Sequence, residues 1–159
     1  SDRFADARII RGFCEAASHF RQEELAGELG IDQADTINIL ELREAINGWL
    51  RPIAKGGKAS GPAIERLFSA AASCMRQRDV GDGSIALGSA AAISAIRLFG
   101  SDLEQKVKIC PNCDWLFVDR NKNRSRLWCD MRVCGNRSKA GNHYRRRRIK
   151  GAAAVESAQ

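Results

Sequence analysis

Histidine, tyrosine and proline are scarce in this chain of 159 residues, which holds two His, one Tyr and three Pro. The chain shows neither a Ser/His/Asp arrangement nor paired carboxylates in a recognisable motif, so we do not expect an enzyme. It contains no run of eighteen apolar residues, which argues against a membrane helix. The first residues lack the basic-then-apolar order of a signal peptide. We therefore expect a cytoplasmic protein that does not bind membranes.

Cysteine is the informative residue instead. Four of the six cysteines fall in one stretch, where two, fifteen and four residues separate Cys110, Cys113, Cys129 and Cys134. In a reducing compartment such pairs favour metal over disulfides. Two thiolate pairs complete the tetrahedral shell of Zn²⁺ and leave no position for a water, so the ion would be structural. An iron–sulfur cluster is the competing interpretation, since thiolate number alone permits it.

The residues between the two cysteine pairs predict a hairpin. Trp115 to Asp119 is β-prone, Asn121-Lys122-Asn123 is a polar turn, and Arg124 to Trp128 returns. Cys129 and Cys134 diverge by about 140° on an ideal helix. We therefore expect Cys129 before a helix and Cys134 at its start, with a basic helix over Ser138–Arg148. A knuckle, a hairpin and a helix around one zinc describe a treble-clef-like finger.

Several of these residues form a motif. Cys134-Gly135-Asn136-Arg137, preceded by Trp128-Cys129 and by Leu116-Phe117-Val118-Asp119, resembles the CGNR-type zinc finger of bacterial proteins. In that family the finger follows a helical domain called ABATE, and the proteins are described as stress-induced transcription regulators. The resemblance implies Zn²⁺ on the four cysteines and DNA binding. An Arg-Arg pair commonly precedes the Trp-Cys in the family, whereas this chain has Arg126-Leu127.

The net charge of +7 is unevenly distributed along the chain. Residues 1–109 carry 14 basic against 15 acidic residues, and residues 110–159 carry 12 against 4. A near-neutral body with a basic module is typical of nucleic-acid binders, although most charge runs are simply solvated faces. The predicted contact residues are Arg126, Arg132, Arg137, Lys139, His143, Arg145, Arg146, Arg147 and Arg148. For Arg137 the alternative is a structural role, packing on Trp128 or bonding a hairpin carbonyl.

The remaining residues predict a helical domain. Apolar stripes such as Ile10, Phe13 and Ala17 indicate one or two helices over Arg3–Leu29, with Gly30 as the helix stop. A second helix runs over Ile37–Leu50, buries Ile39, Leu42, Ile46 and Trp49, and is ended by Pro52. A third begins near Pro62, and a fourth covers Leu87–Phe99 until Gly100 breaks it. Cys14 and Cys74 lie in apolar helical contexts and are predicted to be buried free thiols.

The sequence therefore predicts a mainly α protein with a small treble-clef-like zinc finger. Residues 1–102 form a diverged or shortened ABATE-like domain, 103–150 the finger with its basic helix, and 151–159 a disordered tail. The first hypothesis is a transcription regulator that binds double-stranded DNA. This hypothesis allows a homodimer through the helical domain and a small-molecule effector whose site the sequence does not place. The alternatives are a zinc-stabilised protein-interaction module and an RNA-binding protein, in which Trp115 and Trp128 stack on bases instead of forming the finger's core.

Overall fold

The computed structural model describes residues 7–20, 29–31, 35–76 and 85–141, and it is mainly helical. The described residues of the first part of the chain contain four helices: α1 (Ala7–Phe20), α2 (Asp35–Ala54), α3 (Gly61–Met75) and α4 (Leu87–Leu98). Two-residue strands β1 (Leu29–Gly30) and β2 (Ile85–Ala86) pair in parallel between them. A second pair follows, in which β3 (Val107–Ile109) runs antiparallel to β4 (Leu116–Val118). A wide helical turn, Met131–Gly135, then leads into α5 over residues 136–141.

Helices α2, α3 and α4 pack against one another and form the main core. The expected apolar face of α2 is largely confirmed, because Leu42 and Trp49 are fully buried and Ile39 is 5% exposed. Helix α3 contributes Leu67 and Cys74 to the interior. Its start is also as predicted, because Ser60 caps it through the backbone N–H of Ala63 and a proline occupies its first turn.

Helix α1 packs elsewhere and differs from its predicted stripe. Among the α1 side chains that the structure describes, Ile10 and Cys14 are buried, and they form a small cluster with Ile39 of α2 and Leu87 of α4. Phe13, predicted on the buried face, is 56% exposed. Both free thiols are buried as expected, since Cys14 and Cys74 are almost inaccessible. Burial also raises the pKa of the Cys14 thiol.

The predicted end of α2 at Leu50 is wrong, because the helix continues through Pro52 to Ala54. Gly56 ends it instead, with a φ of 82°. The N–H of Gly57 donates to the carbonyl of Pro52, and the N–H of Gly56 to that of Ile53, both at 2.9 Å. This pair of bonds is the Schellman arrangement, which favours glycine at the left-handed position. A proline in the last turn of α2 lacks one donor yet leaves this capping arrangement intact.

The expected helix end at Gly30 is also corrected. Gly30 lies in β1 and pairs with Ala86, while Leu29 pairs with Ile85. The backbone N–H of Leu29 also donates to the Ser18 hydroxyl at 2.9 Å. A two-residue strand carries too little periodicity to be found from sequence, and its partner lies more than fifty residues away. The sequence also predicts a turn over residues 79–84, which lie outside the described residues.

The chain separates into two compact units, Ser1–Gln105 and Lys106–Gln159. Gly100, with a φ of 70°, follows α4, and a short 3₁₀ turn at Glu104–Lys106 leads into β3. Among the described residues, no helix is both long and apolar enough to cross a membrane.

Candidate metal centre

The antiparallel pair β3–β4 presents the first two cysteines. Its register places Val107 opposite Val118 and Ile109 opposite Leu116, so the turn between the strands contains Cys110 and Cys113. The Cys110 N–H donates to the Trp115 carbonyl at 2.9 Å, and the Asp114 N–H donates back to the Cys110 carbonyl at 2.8 Å. Asp114 takes a φ of 60°, which lets the chain reverse tightly. The first knuckle is therefore the turn of the hairpin.

This arrangement corrects the predicted hairpin. We expected Arg124–Trp128 to be the partner strand of residues 115–119, but those residues form no strand. The partner is β3, which precedes the first cysteine. Local propensity identified a strand at residues 116–118 correctly, yet it could not select the partner strand. Residues 107–109 and residues 124–128 are both close enough in the chain to pair with it through a short loop.

Asp130 positions the fourth cysteine. Its side chain accepts a hydrogen bond from the Val133 N–H at 2.9 Å, and its carbonyl accepts from the N–H groups of Cys134 and Gly135. A carboxylate here caps the turn in the way an N-cap residue caps a helix. Cys129 thus precedes the helical turn and Cys134 lies within it, as predicted. The helix itself begins before the predicted Ser138, because α5 already covers residues 136–141.

The four thiols converge on one point. The Sγ atoms of Cys110, Cys113, Cys129 and Cys134 all lie within 4.8 Å of one another. The Cys113–Cys129 and Cys129–Cys134 Sγ distances are both 3.5 Å, far beyond a disulfide bond. A tetrahedral zinc with sulfur ligands at about 2.3 Å would separate its sulfurs by about 3.8 Å. The donor set therefore fits a tetrahedral ion with four sulfur ligands.

The thiol pKa values differ strongly within the cluster. Desolvation raises the pKa of Cys129 to about 12, with the neighbouring thiols Cys113 and Cys134 adding to the effect, and it also raises that of Cys113. For Cys110 burial acts in the same direction, but backbone N–H groups, among them that of Cys129, outweigh it and lower the pKa to about 6. The Cys110 thiol therefore loses its proton more easily than the Cys113 and Cys129 thiols. A metal ion that binds all four as thiolates must displace those protons.

A second group of contacts holds the segment that leads to Cys129. Asp119, at the end of β4, is fully buried and accepts the Lys108 ammonium at 2.8 Å. The same carboxylate accepts the N–H groups of Asn121 and Arg126 at 3.1 and 3.0 Å. Lys108 also donates to the carbonyls of Arg124 and Arg126. The Lys108 contact is the main cause that lowers the pKa of Asp119. Sequence reasoning missed both residues, whose only signal was a charged side chain in each strand region.

Arg126 completes this connection. Its guanidinium donates to the carbonyls of Trp128 and Cys129 and lies 5.4 Å from the centre of the Phe117 ring. Arg126, which was predicted to contact nucleic acid, thus bonds to the backbone of the finger itself. Two other predicted contact residues, Arg137 and Lys139, are exposed on α5, and Arg132 is exposed on the preceding turn. His143 and Arg145 to Arg148 lie outside the described residues.

The two tryptophans of the finger, Trp115 and Trp128, have different surroundings. Trp128 is half-buried, and a Cβ added at Gly135 would come within 3.2 Å of its ring. Trp115 is 61% exposed, so it does not form the core that was expected of it. Gly135 is needed for close packing, because its hypothetical Cβ would also lie 2.5 Å from the Met131 sulfur.

We expect Gly135→Val to destabilise the finger by about 1–3 kcal/mol, the usual cost of overpacking. The flexible Met131 side chain can move aside, but the Trp128 ring cannot do so without disturbing the backbone next to Cys129. Urea unfolding of the metal-loaded protein, followed by tryptophan fluorescence, measures the change. Gly141→Val is the matched control, because a Cβ at Gly141 would meet nothing within 4 Å. Equal midpoints for the two variants would contradict the close-packing role.

A four-thiolate site shared by a hairpin turn and the start of a helix defines a zinc-finger-type metal-binding module. Residues 106–147 match the family model of the CGNR zinc finger, which confirms the resemblance seen in the motif. The match covers the finger and does not reach the helical part of the chain, so the ABATE-like assignment of residues 1–102 stays a prediction. A search of curated proteins gave no match to this chain.

Proposed function

We propose that the finger binds one structural Zn²⁺ and docks the protein on double-stranded DNA, and that the chain acts as a transcription regulator. The observation that carries this proposal is the position of the charge. The entire positive excess lies in residues 110–159, which hold the metal site and the basic run that follows it. Phosphate backbones attract such a module, and neutralisation of phosphates releases counterions.

Zinc is the ion that this donor set favours. Four cysteines at tetrahedral separations leave no open position, so the metal supplies folding energy and no catalysis. The knuckle on the hairpin turn and the second cysteine pair at a helix start also support a treble-clef-like class for the module. A [2Fe–2S] or [4Fe–4S] cluster would bring visible absorption bands, which distinguish it from colourless zinc in the purified protein.

The geometry of α5 limits how the basic residues can act. Positions 137 and 139 point about 160° apart on an ideal helix, so Arg137 and Lys139 cannot both face one groove. The Arg126 guanidinium is exposed too, but it is already hydrogen-bonded to the carbonyls of Trp128 and Cys129. Such an arrangement suits contact with the sugar–phosphate backbone better than reading of base edges.

The test is a salt series of binding to duplex DNA, single-stranded DNA and structured RNA, with the zinc-loaded protein. We expect Arg145→Ala/Arg146→Ala and Arg147→Ala/Arg148→Ala to weaken duplex binding. Removal of one phosphate contact should reduce the slope of log K against log salt by about 0.9. The matched control is Lys55→Ala/Lys58→Ala, which removes two exposed charges from the helical unit.

Three other outcomes would replace the proposal. A preference for RNA loops would favour an RNA-binding protein. Equal weakening in the control and in the arginine variants would indicate a general charge effect. Absence of binding to all three nucleic acids at low salt would overturn the DNA proposal and favour a protein-interaction module. The zinc content of each variant is measured alongside, so that loss of folding is recognised separately.

A further inference from the structure

Exposed apolar side chains are concentrated around the metal site. Among the described residues, nine large apolar side chains are exposed, and four of these belong to the finger. Their exposed fractions are 61% for Trp115, 66% for Leu127, 49% for Met131 and 48% for Val133. We name these four residues the apolar collar. Isolated exposed apolar residues are ordinary on protein surfaces, whereas a group of them in one small module marks an interaction site.

The metal site brings the collar together. Each collar residue lies one or two positions from a cysteine of the site along the chain. Consecutive Cα atoms are about 3.8 Å apart, so each collar side chain starts within about 8 Å of a ligand Cα. The four Sγ atoms lie within 4.8 Å of one another, so the backbone at each collar residue lies close to the same metal site. The hairpin turn and the segment around the second cysteine pair thus present their apolar groups in one region.

The module buries other apolar groups while it leaves the collar exposed. Val107 is 5% exposed, and Trp128 is half-buried beside Gly135. The finger therefore already has interior positions for apolar side chains. Exposure of all four collar residues costs hydrophobic free energy that a partner with an apolar face would recover.

Charge indicates the chemistry of that partner. Arg132 lies between two collar residues and is exposed, and Arg124 is exposed close to Leu127 in the chain. Two acidic residues, Asp114 and Asp130, are also exposed close to the collar in the chain, and the Asp130 carboxylate accepts a hydrogen bond from the Val133 N–H. The described part of the finger from residue 110 to residue 141 holds seven basic residues against three acidic ones. An acidic, apolar surface complements this region.

We propose that the collar is a docking surface for an acidic amphipathic helix of another protein, and that Arg132 is the cation it shares with the residues predicted to contact DNA. Apolar side chains at i, i+3 and i+4 of such a helix would cover Leu127 and Val133, and its carboxylates would face Arg132 and Arg124. The inference rests on the metal-organised fold of the finger and not on the proposed DNA binding.

A second copy of this chain fits the collar less well. A two-fold interface would bring the same patch of both copies together, so two basic modules would face each other without added acidic groups. Duplex DNA fits less well too, because phosphates offer nothing to Leu, Met and Val side chains. Both occupants are nevertheless distinguishable in the experiment.

The probe is a fluorescein-labelled amphipathic peptide of about 16 residues, with Leu at i, i+3, i+4 and i+7 and Glu elsewhere. There are two control peptides. A scrambled version tests the order of the apolar residues, and a version with Lys in place of Glu tests the sign of the charge. Anisotropy with the zinc-loaded full chain measures binding. We expect the acidic amphipathic peptide to bind, and the other two to bind at least about tenfold more weakly.

The variant Leu127→Ser/Val133→Thr tests the surface. We expect it to weaken peptide binding by at least about tenfold while zinc content and duplex DNA affinity stay unchanged. The control Ile37→Ser removes an equally exposed side chain, 69% accessible, from α2 and should have no effect. The second variant Arg132→Gln should weaken binding and reduce its salt dependence without touching the apolar contacts.

Each contrary result overturns the proposal. Equal binding of the scrambled peptide, or unchanged binding by the collar variant, would show that charge alone attracts the peptide. Loss of duplex affinity in the collar variant would assign the collar to DNA. A concentration-dependent dimer in sedimentation that the collar variant abolishes would assign it to a second copy. Absence of binding of any peptide at 100 µM, roughly the limit of a weak specific contact, would remove the docking surface altogether.

Discussion

Cys129→Ser is expected to reduce the zinc content from one ion per chain to a small fraction of that and to unfold the finger. Cys129 is the member that links the cluster, because its Sγ lies 3.5 Å from those of both Cys113 and Cys134. A serine hydroxyl is a poor zinc ligand at neutral pH, and structural zinc contributes about 10–16 kcal/mol of apparent binding free energy in small fingers. Such a small module has few other means to remain folded.

The measurement combines elemental analysis with an amide NMR spectrum of the full chain. We expect the signals of residues 106–141 to collapse toward unfolded positions, while those of α2, α3 and α4 keep their dispersion. Cys74→Ser is the matched control, because Cys74 is buried in the helical unit and its thiol donates to the Asn38 carbonyl at 3.3 Å. That variant should retain one zinc. Unchanged zinc stoichiometry in Cys129→Ser would contradict the four-thiolate site.

Asp119→Asn should lower zinc affinity about 10- to 100-fold, the usual range for residues that orient metal ligands from behind. The carboxylate accepts hydrogen bonds from the Lys108 ammonium and from two backbone N–H groups. An amide has only one acceptor oxygen, so it can accept only part of these bonds. Its NH₂ group would also face donors if it replaced the oxygen that Lys108 contacts. The segment leading to Cys129 would then lose its attachment to β3, although all four thiols remain.

Competition with a chromogenic zinc chelator gives the affinity of each variant. Lys108→Met tests the same contact from the other side and should resemble Asp119→Asn. The double variant should be much less than additive, because both substitutions remove one interaction. Asp102→Asn is the control, an exposed carboxylate in the helical unit. Additive effects would show that the two residues act separately, and an affinity equal to wild type would contradict a positioning role.

The sequence specified the metal ligands and most helices, for physical reasons that can be named. Thiolate spacing is a local property, so the four cysteines could be assigned without knowing the fold. Helix α2 was found because apolar residues recur with helical periodicity, and α4 because its segment is a run of mainly small and apolar residues that ends at a glycine. The start of α3 was found because Ser60 and Pro62 are local signals.

The features that sequence reasoning missed depend on distant partners. Strand β4 was recognised, but its pairing with β3 was not. In the structure Lys108 of β3 and Asp119 bond to each other and to backbone groups of Arg126, so residues 124–128 are held by side chains and do not pair as a strand. The end of α2 was misplaced because Pro52 was given more weight than Gly56, which completes the capping bonds. Strands β1 and β2 are two residues each, so nothing in their composition separates them from a loop.

The hairpin turn also has a consequence for how the ion is captured. Cys110 and Cys113 belong to a turn held by its own backbone hydrogen bonds, and the segment before Cys129 is tied to the same hairpin by Lys108 and Asp119. The site thus resembles a bivalent binder whose two arms are joined by a short tether. After the first pair takes the ion, the second pair meets it at a high effective concentration. An ion that loses one arm is therefore recaptured more readily than an ion held by a single cysteine pair.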